Sequence, residues 1–501
     1  MNNSKIYVKE AFMDKFKANA WEIKKTCEKH GVDTDNLWND LSRRFRMSSV
    51  ERASGFKKRS GVKAVALFEF ALAAKVMAVG TTLGFFAKAI AGAIGFECSA
   101  MYRFLQSDKV NWRSAFYDLS KQLRGPAVKP AADVGNAGPV DERLRPTSLI
   151  VDDSTINKTG RRIEGASKVY DHTTSRYVLG GKLLSLVWFD GLACRFLDLS
   201  LVKESVKSLK KVKGKFHKKR DPASPGAHRK AEMSEDKISL AIKMLKRAVR
   251  NGFIPEYVQT DSWFTCLKLV KAVRGLANGT VHFLGMVKFG GRKFELNGKP
   301  FTLANLKKLG VPKESRCRRF KSRYYQMDCV LPGLGEVRIF VSRFAGSKKC
   351  VALMTTDLTM SYVKAIETYM IRWNIEICFK EVKQLLGLQK CQARDFDSQI
   401  AHFTLVFMAH ALLVDLKVRE EYKTLGILFE SLTEQRRAVS VTERIIGAFE
   451  EFLRAAAETM GGIDKATLAD ILESEMYDVF KKIILGTTID YQCEMELVIT
   501  S

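Results

Sequence analysis

The stretch ETYMIRWNIEICFKEVKQLLG, residues 367–387, decides how the rest of the chain is read. It predicts a helix, with no proline, no interior glycine, and Gly387 where a stop is wanted. At roughly 100° per residue, Tyr369, Arg372, Glu376 and Lys383 fall within a single arc on the order of 60° wide. An acid, two cations and a phenol thus share one strip of surface, flanked by Trp373 and Phe379. Taken alone, such an arc is also what a solvated face with an i,i+4 Arg–Glu pair looks like, so the surrounding chain has to decide.

The spacing Tyr-x2-Arg-x3-Glu-x6-Lys, with Trp373 after the Arg and Ile375 before the Glu, resembles the signature of the insertion sequence 4 family of bacterial DDE transposases. The resemblance implies that Glu376 is the third metal-binding carboxylate and that Tyr369, Arg372 and Lys383 contact transposon-end DNA, with Trp373 beside them. It also calls for two aspartates on strands earlier in the chain.

Composition agrees with a partner of that kind. The chain has 501 residues, 46% apolar and 28% charged, enough for several domains with a real core, and its net charge of +28 points to a polyanion. The charge is uneven: from Glu443 to Ser501 there are 12 acids against 5 bases, leaving +35 on residues 1–442. The ten cysteines show no C-x-x-C and no zinc-type spacing with histidine, which reads as reduced thiols in a cytosolic protein. The N-terminus has no apolar signal core, and the longest uncharged run in the apolar region, Val76–Ala87, is well short of the roughly 20 residues a membrane span needs. These features predict a cytoplasmic protein with no membrane partner, and the family resemblance implies a bacterial, nucleoid-associated one.

Taken in order, residues 1–124 read as a helical N-terminal DNA-binding domain, with a helix-turn-helix-like stretch over 82–106 that offers Ser99, Tyr102, Arg103 and Gln106 to a major groove. An ordinary helical hairpin fits that stretch equally well. Residues 125–147, rich in Gly, Pro and Ala, form a linker. Leu149-Ile150-Val151 is a strand signal that ends on Asp152-Asp153, and a second strand over 178–189 pairs antiparallel with it. The family resemblance places a Thr two residues after the catalytic Asp, and Thr155 therefore selects Asp153, with Asp152 as the inert neighbour. The Lys203–Lys230 run carries 11 Lys/Arg against 2 acids, and Lys218, Lys219 and Arg220 are its candidate phosphate contacts, although charge runs are commonly solvated loops. A helix over 234–251 capped by Ser234 precedes a strand over 254–260 that emerges at Asp261. Residues 281–357 turn β-rich, matching the family's insertion between the second Asp and the Glu. An apolar helix, 398–414, then carries His402 and His410, read as core histidines, and helices follow to the end.

The fold expected is therefore α/β: an RNase H-like mixed sheet over 148–400 with a β-rich insertion at about 281–357. A helical N-terminal domain precedes it, and a helical C-terminal region, 401–501, suited to dimerisation, follows. Asp153, Asp261 and Glu376 are the expected catalytic and metal-binding carboxylates. Hard oxygen ligands suit two Mg²⁺ ions, with Mn²⁺ able to substitute. The resemblance implies cut-and-paste transposition by a homodimer bound to inverted-repeat ends and target DNA. The competing readings are an idle DNA-binding regulator of transposon origin and an RNase H-like nuclease without strand transfer. One departure stands out. Some relatives hold a flipped base on a Trp in the last insertion strand, where this chain has Val351, leaving Tyr324, Tyr325 or Phe344 for that role.

Overall fold

Ser148–Asn157 (β1) is the strand on which the fold is centred, because Leu149, Ile150 and Val151 are buried on both of its faces. In the computed structural model the described residues are 45–58, 60–76, 98–124, 145–204, 216–309, 314–419 and 424–428. The chain divides into two units, and the one spanning 44–89 and 96–421 holds every element named below. The first helix and turn of the expected helix-turn-helix, residues 125–144 of the linker, 205–215 of the basic run and everything after 428 lie outside the described residues.

Beside β1 come Ser167–Asp171 (β2), Arg176–Phe189 (β3) and Cys194–Val202 (β4), all joined through antiparallel pairing with β3. On its other side β1 takes Tyr257–Thr260 (β5) in parallel, and β5 takes His282–Val287 (β6) in parallel. The expected insertion continues this sheet. Its strands are Lys293–Leu296 (β7), Lys299–Thr302 (β8), Ser315–Cys317 (β9), Ser322–Leu331 (β10), Gly335–Phe344 (β11) and Val351–Thr355 (β12). The order is β2-β3-β1-β5-β6-β12-β11-β10-β7-β8, a single mixed sheet, with β4 on β3 and β9 on β10. The β7–β8 hairpin turns on Asn297 and Gly298, both at positive φ (51° and 75°), the conformation a two-residue hairpin loop demands.

Helices cover both faces. Met47–Ser54 (α1), Ala64–Val76 (α2), Cys98–Leu105 (α3) and Trp112–Gln122 (α4) come first, then Pro225–Glu232 (α5), Lys237–Arg250 (α6) and Leu267–Arg274 (α7). Leu240, Met244 and Leu245 of α6, with Leu269 and Val273 of α7, share one core with Leu149 and Val151 of β1 and with Phe294, Met327 and Ile339 of the added strands. Tyr362–Met370 (α8) packs on the opposite face, where Tyr362, Ala365 and Ile366 meet Tyr257, Leu284, Phe340 and Leu353. Asn374–Gln384 (α9) and Phe396–Arg419 (α10) complete the set. Helix α10 is long and apolar enough to cross a bilayer, but 89% of its apolar window is buried inside the protein, as in a core helix.

Four local expectations meet a different outcome. The signature stretch is two helices, α8 and α9, joined by a 3₁₀ turn at Ile371–Trp373, not one continuous helix. Asp236, whose side chain accepts from the Ser239 N–H at 2.8 Å, caps α6 in place of Ser234. Strand β1 runs on to Asn157, so the aspartate pair sits within the strand. Finally, α4 does not stand apart from the sheet. Arg113 reaches Asp198 of β4 at 3.0 Å and Glu232 of α5 at 2.8 Å, and the Phe116 ring lies 6.5 Å from Phe407 of α10.

Candidate active site

Strand pairing determines which acids meet. In the parallel β1–β5 pair, Ile150 is opposite Gln259 and Val151 opposite Thr260, so the next step sets Asp152 beside Asp261. Neighbours in register on adjacent strands lie about 5 Å apart and point to the same face. Asp153, one residue on, points to the other face, the one that carries Leu149, Val151 and helix α6. There its carboxylate accepts from Lys237 Nζ at 2.5 Å, with Glu204 3.7 Å from the same ammonium.

Arg372 ties Asp152 to the signature helix. Its guanidinium lies 2.9 Å from Glu376 Oε1 and 3.5 Å from Asp152 Oδ2. The side chain is 9% exposed, and Nε is buried without a hydrogen-bond partner among the described residues. Burial opposes the Arg372 charge, but Tyr369, Glu376 and Asp152 together outweigh it and raise its pKa. Asp152 is the strained member. Burial, then the Asp261 carboxylate, push it up to about 7, against some relief from the Asp153 N–H and Arg372. Asp261 accepts from the N–H groups of Trp263 and Phe264 at 2.9 and 3.0 Å, so the turn after β5 holds its side chain in place.

All four carboxylates line one open cavity of ≈ 740 Å³. Lys237, Lys288, Lys380 and Lys383 line it too, giving an acidic centre with lysines around it. Burial lowers the pKa of Lys383. Tyr369, pushed up to about 12 chiefly by burial, donates to the Thr260 carbonyl at 3.4 Å and packs against Arg372. Trp373 is 61% exposed.

The remaining expected contacts separate. Arg103, with Ser99 and Tyr102, is exposed on α3 and Gln106 in the turn after it, while Met101 and Phe104 anchor that helix. Lys219 is exposed. Lys218 pairs with Asp397 at 2.8 Å, and Arg220 is buried among Glu164, Asp397 and Asp395 at 2.7, 2.9 and 3.4 Å. Arg220 therefore clamps the start of α10 to the loop after β1. Tyr324 stacks on Tyr362 with ring centroids 3.8 Å apart. The aromatic that sequence reasoning passed over is Trp263, 45% exposed in the cavity with the Lys237 ammonium 4.7 Å from its ring. Its place two residues after Asp261 was the available signal.

Residues 87–282 match the family model described as DDE superfamily endonuclease, and residues 203–412 match the one described as transposase DDE domain. The two matches support a DDE transposase, and with it an enzyme of the nuclease or transposase kind. No curated protein matches the chain. Among solved structures it is similar to the Drosophila P element transposase strand transfer complex, at 11% identity and a TM-score of 0.21. That alignment covers 58% of this chain and 55% of the other, little more than half of each.

Proposed function

We propose that this chain is a cut-and-paste transposase of the insertion sequence 4 type. It binds the terminal inverted repeats of its element in the bacterial cytoplasm, cleaves the ends, and joins the 3′ ends to target DNA on the nucleoid. The observation that carries the reading is the meeting of Asp152, Asp261 and Glu376, from two parallel strands and a helix, within a lysine-lined cavity. The run β4–β3–β1–β5–β6, three antiparallel strands followed by two parallel additions, supports an RNase H-like core.

The donor set fits hard divalent cations. Its ligand atoms are carboxylate oxygens, and the Asp152 pKa, raised first by burial and then by the Asp261 carboxylate, marks a site where a cation would relieve both. Asp152, Asp261 and Glu376 would hold two Mg²⁺ ions, which when bound supply activation of water or a 3′-hydroxyl and stabilisation of the leaving 3′-oxygen. Thr155 favoured Asp153 as the first ligand; Asp153 shares the cavity, but its pairing with Lys237, and the register that sets Asp152 beside Asp261, favour a positioning role for Asp153 and the ligand role for Asp152. Arg372 spans two of the acids and sets their separation. Lys383, Lys380 and Lys288 would take the phosphates that flank the scissile bond. Trp263 offers a flat face for an unpaired base. Arg103 and Lys219 are the outlying contacts with the repeat, and a homodimer would bring two ends together.

The test uses linear DNA carrying the inverted repeats that flank the gene. Incubation with the purified chain and Mg²⁺ should yield nicks at the element ends and then products joined to a target plasmid. Binding without cutting in Mg²⁺ or Mn²⁺ would make the protein a regulator, and cutting without joined product would make it a nuclease.

A further inference from the structure

Helix α9 has a second chemical face. Glu376 looks into the cavity, while Cys378 and Glu381, three residues apart, turn toward α10 and meet His410. The thiol sulfur, a Glu381 carboxylate oxygen and a His410 ring nitrogen all lie within 4.8 Å of one another. His410 is 0% exposed, with Nε2 2.9 Å from Glu381 Oε2 and Nδ1 lacking a hydrogen-bond partner among the described residues. Cys378 is 3% exposed, its sulfur 3.9 Å from the Cys194 carbonyl, and the Phe196 ring stands edge-on to the imidazole at 5.2 Å. A thiol, an imidazole and a carboxylate converging in an apolar pocket are the donors of a zinc-type centre.

We propose that Cys378, Glu381 and His410 form a structural site for a thiophilic divalent ion, Zn²⁺ foremost, separate from the carboxylate cavity. Zn–S and Zn–N bonds of about 2.3 and 2.0 Å make tetrahedral edges of roughly 3.3–3.5 Å, so the cluster, within 4.8 Å, needs to close by about 1.3 Å at most. The His410–Glu381 contact opens slightly at the same time. The fourth position falls to water entering beside Glu381, whose side chain is 20% exposed. On binding, the Cys378 S–H bond breaks and its proton leaves to solvent, as does any proton His410 shares with Glu381, so that sulfur and nitrogen donate lone pairs to the ion. The donor sets keep the two sites apart: a thiolate and an imidazole select Zn²⁺, and carboxylates alone select Mg²⁺. The ion would pin α9 to α10 and so hold the helix that carries Glu376.

The full-length chain, stripped of metal and titrated with Co²⁺, tests this. Cobalt bound here adds a thiolate-to-cobalt absorption band that the carboxylate cavity has no sulfur to produce. The band should appear in the wild type and in Glu376→Gln, vanish in Cys378→Ser, and saturate at one equivalent. The absence of a band in the wild type, or an undiminished band in a folded Cys378→Ser, overturns the proposal. Should Cys378→Ser fail to fold, Glu381→Gln, which keeps the thiol, decides. It should weaken Co²⁺ binding about tenfold or more, and unchanged affinity overturns the proposal.

Discussion

Replacing Asp152 and Asp153 by asparagine, one at a time, should move the stability of the metal-free protein in opposite directions. Burial and the Asp261 carboxylate push Asp152 up to about 7 from an ordinary 3.8. At about 1.4 kcal/mol per pKa unit, its ionisation costs the folded state about 4 kcal/mol above pH 7. The folded pKa is the raised one, so the contribution is fully present below about pH 4, where both states are protonated, and is lost as pH rises to 7. The amide in Asp152→Asn cannot ionise and escapes that loss. Set against the Arg372 contact it gives up, at 3.5 Å, the net gain at pH 8 should be about 2 kcal/mol, shrinking toward pH 5. Asp153→Asn instead strips Lys237 of its 2.5 Å partner, leaving Glu204 at 3.7 Å, and should cost about 1–3 kcal/mol at either pH. Urea denaturation in EDTA at pH 5 and 8 reads both effects. Adding Mg²⁺ should then raise the melting temperature of the wild type and Asp153→Asn but not of Asp152→Asn, and Asp152→Asn should be unable to cut DNA. If Asp153→Asn is the variant that loses the Mg²⁺ response and cutting, or if the wild-type gap to Asp152→Asn does not widen with pH, the face assignment is wrong.

Arg372→Ala leaves Asp152 and Glu376 facing each other without their shared cation, and should cost about 3–5 kcal/mol in EDTA, with part recovered in Mg²⁺. A melting curve unchanged from wild type would refute the bridging role. Arg220→Ala should destabilise by a similar amount of roughly 3–5 kcal/mol, because it abandons Glu164 and Asp397 in a buried site. Lys219→Ala should leave the melt alone and weaken DNA binding, and reversed phenotypes would return Arg220 to the DNA. Lys383→Ala should lower the slope of log binding constant against log salt by about 1 in an anisotropy titration, and an unaltered slope would remove Lys383 from the phosphate contacts.

The candidate residues Tyr369, Arg372, Glu376 and Lys383 were legible because they are local to one stretch with fixed spacing, although the 3₁₀ turn at Ile371–Trp373 that divides the stretch was not. The strands of 281–357 were legible for a similar reason, since alternation and Gly/Asn turns are short-range signals. Choosing between Asp152 and Asp153 was not local. Their faces depend on which residue of β5 lies alongside, a pairing across more than a hundred residues. Arg220 likewise looked like part of a basic tract, since its acids, Glu164, Asp395 and Asp397, come from either side of it at long range. Ser234 and Asp236 are equally good cap residues by type, so residue type alone did not place the start of α6 at Asp236.

The way β6 and β12 join the sheet has a consequence for how the molecule comes apart. Val287 pairs with Ala352 and Thr260 with Gly285, so a continuous ladder of backbone hydrogen bonds links the added strands to the one that ends at Asp261. Phe294, Met327 and Ile339 also share an apolar core with Leu149 and Val151. Opening the added strands alone would expose that shared core and the edge of β6 together, which makes partial opening nearly as costly as opening the whole. The amides of β5, β6, β11 and β12 should therefore exchange with solvent as one cooperative block, and the acid-bearing strand draws its rigidity from residues far from the chemistry.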